Sequence, residues 1–83
     1  MQIPVSSVTD IGAAIRAERK RQHLRQDDLA GMVDSSHVFL RDVECGKPTV
    51  QLGRVLRLLQ ELGIRITLDI PDPPGDIDTK GRT

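Results

Sequence analysis

Ser36, His37, Val38 and Arg41 fall within one short stretch, and at helical spacing Val38 and Arg41 share a face. An arginine offers two parallel N–H donors that match O6 and N7 on a guanine edge. A valine beside it can pack on a thymine methyl. Side chains at the start of a helix are the ones a major groove can receive. His37 has two open readings, a hydrogen-bonding surface residue or a contact to base or phosphate. Gln26 opens a preceding helical segment, where a free backbone N–H and the helix dipole suit an anion. Arg25, and Lys47 just beyond the Ser36–Cys45 stretch, can reach phosphates of the same strand. Base-reading candidates are therefore Ser36, His37, Val38 and Arg41, and phosphate candidates are Arg25, Gln26 and Lys47.

The opposite side of that helix carries a different chemistry. Leu40 and Val43 must face inward, and Glu44, four residues after Leu40, lies on the same side. Arg19, four residues after Ile15, likewise continues an apolar stripe. Opposite charges on core-facing positions are expensive unless paired, so the pattern predicts an Arg19–Glu44 salt bridge. Phe39, beside Val43, is expected at the edge of the core. Catalytic chemistry is poorly provided for. The two histidines and single cysteine form no ligand cluster, and no glycine-rich phosphate loop or paired carboxylates occur. No enzyme, cofactor or metal is expected.

These residues need helices to position them. Met1–Val8 reads as an arm. Helix 1 is expected to follow Thr9 as N-cap, with Asp10 favourable to the dipole and Ile11, Ala14 and Ile15 as its stripe, ending near Gln22. Leu24 turns inward before helix 2 (26–33), whose core side is Leu29, Ala30 and Val33. Asp34–Ser36 forms the turn, with Asp34 suited to a left-handed conformation. Ser36 caps helix 3 (37–45), and Gly46 ends it. Thr49 is the expected cap of helix 4 (50–62), closed by Gly63. In helix 4, Leu52, Val55, Leu56, Leu58, Leu59 and Leu62 span about 160°, wider than the ~100° a surface helix requires. The excess predicts a dimer contact through Leu58 and Leu62; the alternative is a well-buried central helix.

The period then changes. Ile64-Arg65-Ile66-Thr67-Leu68-Asp69-Ile70 alternates apolar and polar, as a half-buried strand does. No other segment reads as a strand, so its backbone groups need a partner from outside the chain. The expectation is an antiparallel pair with the same strand of a second copy, adding Ile64, Ile66, Leu68 and Ile70 to the interface. The alternative is an extended segment lying on the helices. Residues 71–83, rich in Pro, Gly and Asp, are expected to be disordered. The boundaries are thus an arm at 1–8, a helical domain at 9–63, a strand at 64–70 and a tail at 71–83.

Bulk properties agree with one small, mainly α domain of four to five helices. The chain has 83 residues, one phenylalanine and no Trp or Tyr, so the core must be aliphatic and is near the lower size for self-sufficiency. Formal net charge is zero, yet Arg16, Arg19, Lys20, Arg21 and Arg25 crowd one stretch with the single acid Glu18. Phosphate binding follows the local field rather than the total. One cysteine excludes an intramolecular disulfide and suits a reducing compartment. No apolar run approaches the ~20 residues that span a membrane, and no signal-peptide pattern opens the chain, so a soluble cytoplasmic protein is expected.

At Leu24–Lys47 the chain resembles the Cro/repressor-type (XRE) helix-turn-helix family, through Leu24, Gln26, Leu29, Ala30, Val33, Ser36, Leu40, Val43, Glu44, Gly46 and Lys47. The resemblance covers about residues 9–63 and implies a Cro/repressor-like domain whose phosphate and base contacts map onto Gln26, Ser36, His37, Val38, Arg41 and Lys47. It also implies the Arg19–Glu44 pair. Three positions depart from the family frame. Arg25 stands where a Thr cap is common, Asp34 where glycine is frequent, and Gly31 weakens helix 2 by up to ~1 kcal/mol relative to Ala. The segment GKPTVQLGRVLRLLQELGIRITL, from helix 4 into the strand, is similar to HipB-type antitoxins. That resemblance implies a homodimer on operator DNA, bound by a HipA-type Ser/Thr kinase toxin, repressing its own bacterial operon at the nucleoid. It also associates the tail with proteolytic turnover. The competing readings are a stand-alone repressor without a toxin, and a protein-binding antitoxin or adaptor with a vestigial DNA face.

Overall fold

The computed structural model describes residues 1–72. The disorder expected over 71–83 falls, from position 73 onward, outside the described residues. Four helices follow in order: α1 Val8–Arg21, α2 Gln26–Met32, α3 His37–Glu44 and α4 Leu52–Leu62. Ile15, Leu29, Leu40 and Leu58 are wholly buried where they converge, with Val43, Val55, Leu59 and Leu62 around them. Each such side chain contributes about 1.5–3 kcal/mol on burial.

Two helix starts differ from expectation. Ser7, not Thr9, caps α1, its hydroxyl accepting from Asp10 N–H at 3.2 Å. The Asp10 carboxylate in turn accepts from the backbone N–H of Ser6 at 2.9 Å, which lowers its pKa. Ser7 wins because Asp10, three residues on, closes the turn with it, while Thr9 lies inside the helix against Gly46. α4 starts at Leu52 rather than Val50; Gln51 holds the cap position without a side-chain bond, and Thr49 lies outside it. Val50 instead packs, half buried, against the core.

All four helices end in the same way. The chain turns left-handed at His23 (φ 60°), Asp34 (φ 57°), Gly46 (φ 82°) and Gly63 (φ 79°). After each, the next N–H reaches back to a helix carbonyl: Leu24 to Arg19, Ser35 to Ala30, Lys47 to Asp42 and Ile64 to Leu59. These are Schellman ends, which satisfy carbonyls the last turn leaves open. Asp34 takes its conformation as its residue type allows. His23 does so as well, histidine being among the non-glycine residues that tolerate it. Gly46 needs its missing Cβ as well, since one built there would sit 2.6 Å from the Thr9 hydroxyl.

The expected strand over 64–70 is not formed. No strand occurs among the described residues, and 64–70 carries no regular structure. The physical reason is that a lone strand has no partner for its N–H and C=O groups. Ile64 packs half buried against the core, while Ile66, Leu68 and Ile70 are exposed. Leu58 and Leu62, expected at a dimer contact, are 0% and 4% exposed inside the chain's own core. The wide apolar face of α4 is explained by this central position, with only Leu52 and Leu56 left facing outward.

α1 and α3 approach closely at Gly12, where a Cβ would fall on the Val43 carbonyl oxygen. Gly12→Ala is expected to lower stability by about 1–3 kcal/mol. Gly31→Ala has nothing within 4 Å of its new methyl and should raise stability by up to about 1 kcal/mol. Urea unfolding of the two variants side by side checks the contrast. Equal shifts would mean that α1 can back away from α3 freely.

Candidate nucleic-acid interface

The site is built from the inside. Glu44, at the end of α3, has a side chain only 3% exposed, and Arg19, on α1, one that is 9% exposed. Arg19 Nε donates to Glu44 Oε2 at 2.7 Å and Nη2 donates to Oε1 at 2.9 Å, a bidentate pair. The remaining fork position, Nη1, donates to the carbonyl of Leu24 at 2.8 Å and so closes the α1–α2 turn. The bond to Glu44 raises the Arg19 pKa above its already high ordinary value, so the guanidinium stays charged throughout the accessible pH range. Glu44 Oε1 also accepts from Gln26 Nε2 at 3.1 Å. Gln26 therefore belongs to this internal network through one amide hydrogen, which leaves a second one and its N-terminal backbone N–H to face outward. No buried side-chain polar atom lacks a partner among the described residues.

With Leu40 and Val43 turned inward, α3 presents Val38, 44% exposed, and Arg41 on its outer side. Arg41 makes no side-chain hydrogen bond or ion pair among the described residues, the condition an arginine needs to accept a base edge. Ser36 caps α3, accepting from Phe39 N–H at 3.2 Å, and keeps its own O–H free to donate. His37 is exposed, with Nδ1 3.8 Å from Asp27 Oδ1. Phe39 lies half buried on the core, with the Arg54 guanidinium 5.8 Å from its ring centre.

The remaining cations are less free than their number suggests. Lys47 Nζ lies 3.5 Å from Asp42 Oδ2, and Arg25 Nε 3.6 Å from Asp28 Oδ2. In the basic run of α1, Arg19 is buried and Arg21 is bonded to Glu18, whose carboxyl is held down to about 2 by that contact and by Gln22. Only Arg16 and Lys20 of that run remain exposed without a carboxylate partner among the described residues.

Some positioning residues escaped the sequence reading. Asp28 Oδ2 accepts from Arg25 N–H at 2.9 Å. This supplies half of a capping box where the absent Thr suggested a weak start, and an acid three residues after the cap position was the available signal. Gln22 Nε2 donates to the Leu62 carbonyl at 3.0 Å and ties α1 to the end of α4. No local pattern announces that contact. Among the described residues no helix is long and apolar enough to cross a membrane, and no group of three His, Cys, Asp or Glu is placed to hold a metal.

No family model matches the chain. A curated relative, the uncharacterized HTH-type transcriptional regulator y4mF of Sinorhizobium fredii (strain NBRC 101917 / NGR234), is 48% identical over 67 residues. That match takes in 81% of this chain and 88% of the relative. The chain belongs to the helix-turn-helix transcriptional regulators. Among solved structures, this regulator shares its fold with a chain of a HipA-HipB-O2-O3 complex, at a TM-score of 0.77 and 20% identity, covering 86% of the regulator and 100% of that chain. A HipB-O4 20mer complex matches at 0.76 and 20% identity, with the same coverage. The helix-turn-helix of the regulator is α2, the Asp34 turn and α3.

Arg19→Ala and Glu44→Ala are each expected to lose about 3–5 kcal/mol, because each leaves the other charge buried and unpaired. The double variant should lose less than the sum. Arg19→Lys keeps the charge but not the three-way fork, so it should also be clearly destabilised. A double-mutant cycle by chemical denaturation measures this, and additive losses would show the two charges to be independent.

Proposed function

We propose that this regulator is a dimeric, sequence-specific, DNA-binding repressor that also acts as antitoxin of a HipA-type Ser/Thr kinase toxin and represses its own operon. The observation that carries the DNA reading is the outer side of α3, where unpaired Arg41 and exposed Val38 stand opposite buried Leu40 and Val43. Ser36, His37, Val38 and Arg41 read bases in the major groove, as a recognition helix does. Arg25, Gln26 and Lys47 hold phosphates. The 9–63 region is the DNA-binding domain, and the protein works at the bacterial nucleoid in the cytoplasm.

The homodimer is supported by Ile66, Leu68 and Ile70, which are exposed at every second position of a segment without a backbone partner. Pairing 64–70 with its counterpart in a second copy covers these side chains and satisfies those backbone groups. Leu58 and Leu62 have no part in it. The toxin reading is supported by the fold shared with the HipA-HipB-O2-O3 complex and by the HipB-like run from α4 onward. A stand-alone repressor is the second reading, in keeping with a 48% identical relative named as an HTH-type transcriptional regulator. Co-purification of the full chain with the product of a neighbouring kinase gene decides between them.

Two substitutions separate reading from holding. Arg41→Ala should weaken cognate binding by ~1–3 kcal/mol and relax preference at one base pair. Lys47→Ala should weaken all sequences alike and lower the salt slope by about one. Fluorescence anisotropy at several salt concentrations tests both; if both variants change sequence preference alone, the division of roles is wrong. Truncation after Gly63 should give monomers by analytical ultracentrifugation and weak DNA binding. A dimeric truncation would place the interface on the helices.

A further inference from the structure

The segment after α4 also specifies how two copies would align. Its start is anchored, because Ile64 donates its N–H to the Leu59 carbonyl at 2.8 Å and packs half buried against the core. Even-numbered Ile64, Ile66, Leu68 and Ile70 form one face of the alternating pattern, and odd-numbered Arg65, Thr67 and Asp69 form the other. All three polar residues are exposed.

A two-fold antiparallel pair of identical strands is centred on a residue, because hydrogen-bonded and non-hydrogen-bonded pairs alternate along the ladder and two neighbouring pairs cannot be equivalent. Even positions therefore face even ones and odd face odd, which keeps apolar side chains against apolar ones. Centring on Ile66 leaves Asp69 opposite Gly63, and centring on Leu68 leaves Arg65 opposite Pro71, which has no N–H to give. Centring on Thr67 pairs all seven positions. It sets Ile66 opposite Leu68, Ile64 opposite Ile70, and the two charges opposite each other.

Resting on the dimeric reading above, we propose that 64–70 of two copies pair antiparallel with Thr67 on the two-fold axis. Arg65 of each copy then faces Asp69 of the partner subunit. Opposite charges directly across a strand pair stabilise it and like charges oppose it. The two symmetry-related ion pairs therefore select both the register and the partner, a second copy of this chain. Thr67 meets Thr67 of the partner subunit, a pairing that suits strands through its hydroxyls.

Charge exchange tests this in the full-length protein at low salt, where exposed pairs are least screened. Arg65→Asp alone makes the odd face all acidic, and Asp69→Arg alone makes it all basic. Each should raise the dimer dissociation constant about tenfold or more in sedimentation equilibrium. The double variant should recover wild-type dimerisation, and an equimolar mixture of the two single variants should form heterodimers. Circular dichroism confirms that the helices persist in each variant. As an independent measurement in a Cys45→Ser background, Thr67→Cys should cross-link across the axis on mild oxidation. Single variants that dimerise like wild type, or stronger cross-linking by Ile66→Cys or Leu68→Cys, would overturn the register while leaving the dimer intact. A wild type that remains monomeric at tens of micromolar would overturn the dimeric reading itself, and the register with it.

Discussion

Arg19 and Glu44 set two full charges beneath the helices, and three helix ends are located by how those charges are satisfied. The guanidinium spans the Glu44 carboxylate and the Leu24 carbonyl, so α1, the α1–α2 turn and the end of α3 meet at one point. Gln26 brings in the start of α2 through the same carboxylate. A buried ion pair of this kind contributes little net stability over a well-packed apolar substitute. It contributes geometry: a slipped α3 would strand a desolvated charge, which is worse than a slipped leucine. The outward position of Val38 and Arg41 follows from that constraint together with the burial of Leu40 and Val43.

The surface charge around this frame is restrained. Carboxylates sit beside Arg21, Arg25, Lys47 and His37, so less positive charge is left unpaired than the basic stretch suggests. Exposed pairs are weak, typically under about 1 kcal/mol, so a phosphate can displace them. They still trim the long-range field, and they leave Arg41 distinguished on α3 by having no acid to leave. The arrangement favours specific contact over indiscriminate attraction to polyanions.

α4 shows how apolar width can mislead. Its face looked wide enough for an external contact, but Val55, Leu58, Leu59 and Leu62 are all consumed by a core in which α4 is central. In a chain this short, one helix has to supply much of the interior. Apolar side chains left uncovered include Ile66, Leu68 and Ile70 beyond Gly63, Leu52 and Leu56 on the outer side of α4, and Ile3, Val5 and Val8 at the N-terminal end.

By itself the sequence determined the four helices, the two-sidedness of α3 and the pairing of Arg19 with Glu44. Each is written in 3.6-residue periodicity, in cap residues such as Ser36 and Gly63, or in a charge placed where a core residue belongs. Their physics is local, or reduces to which face is buried. Tertiary structure alone decided that Gly12 lets α1 touch the α3 backbone, that Gln22 reaches the end of α4, and that Gln26 joins the buried network. It also decided that Leu58 and Leu62 turn into their own core. These depend on the distance between segments far apart in the chain, which no spacing along it encodes. The alternation at 64–70 marks the boundary between the two. A strand pattern is a local property, whereas a strand exists only when another backbone lies beside it.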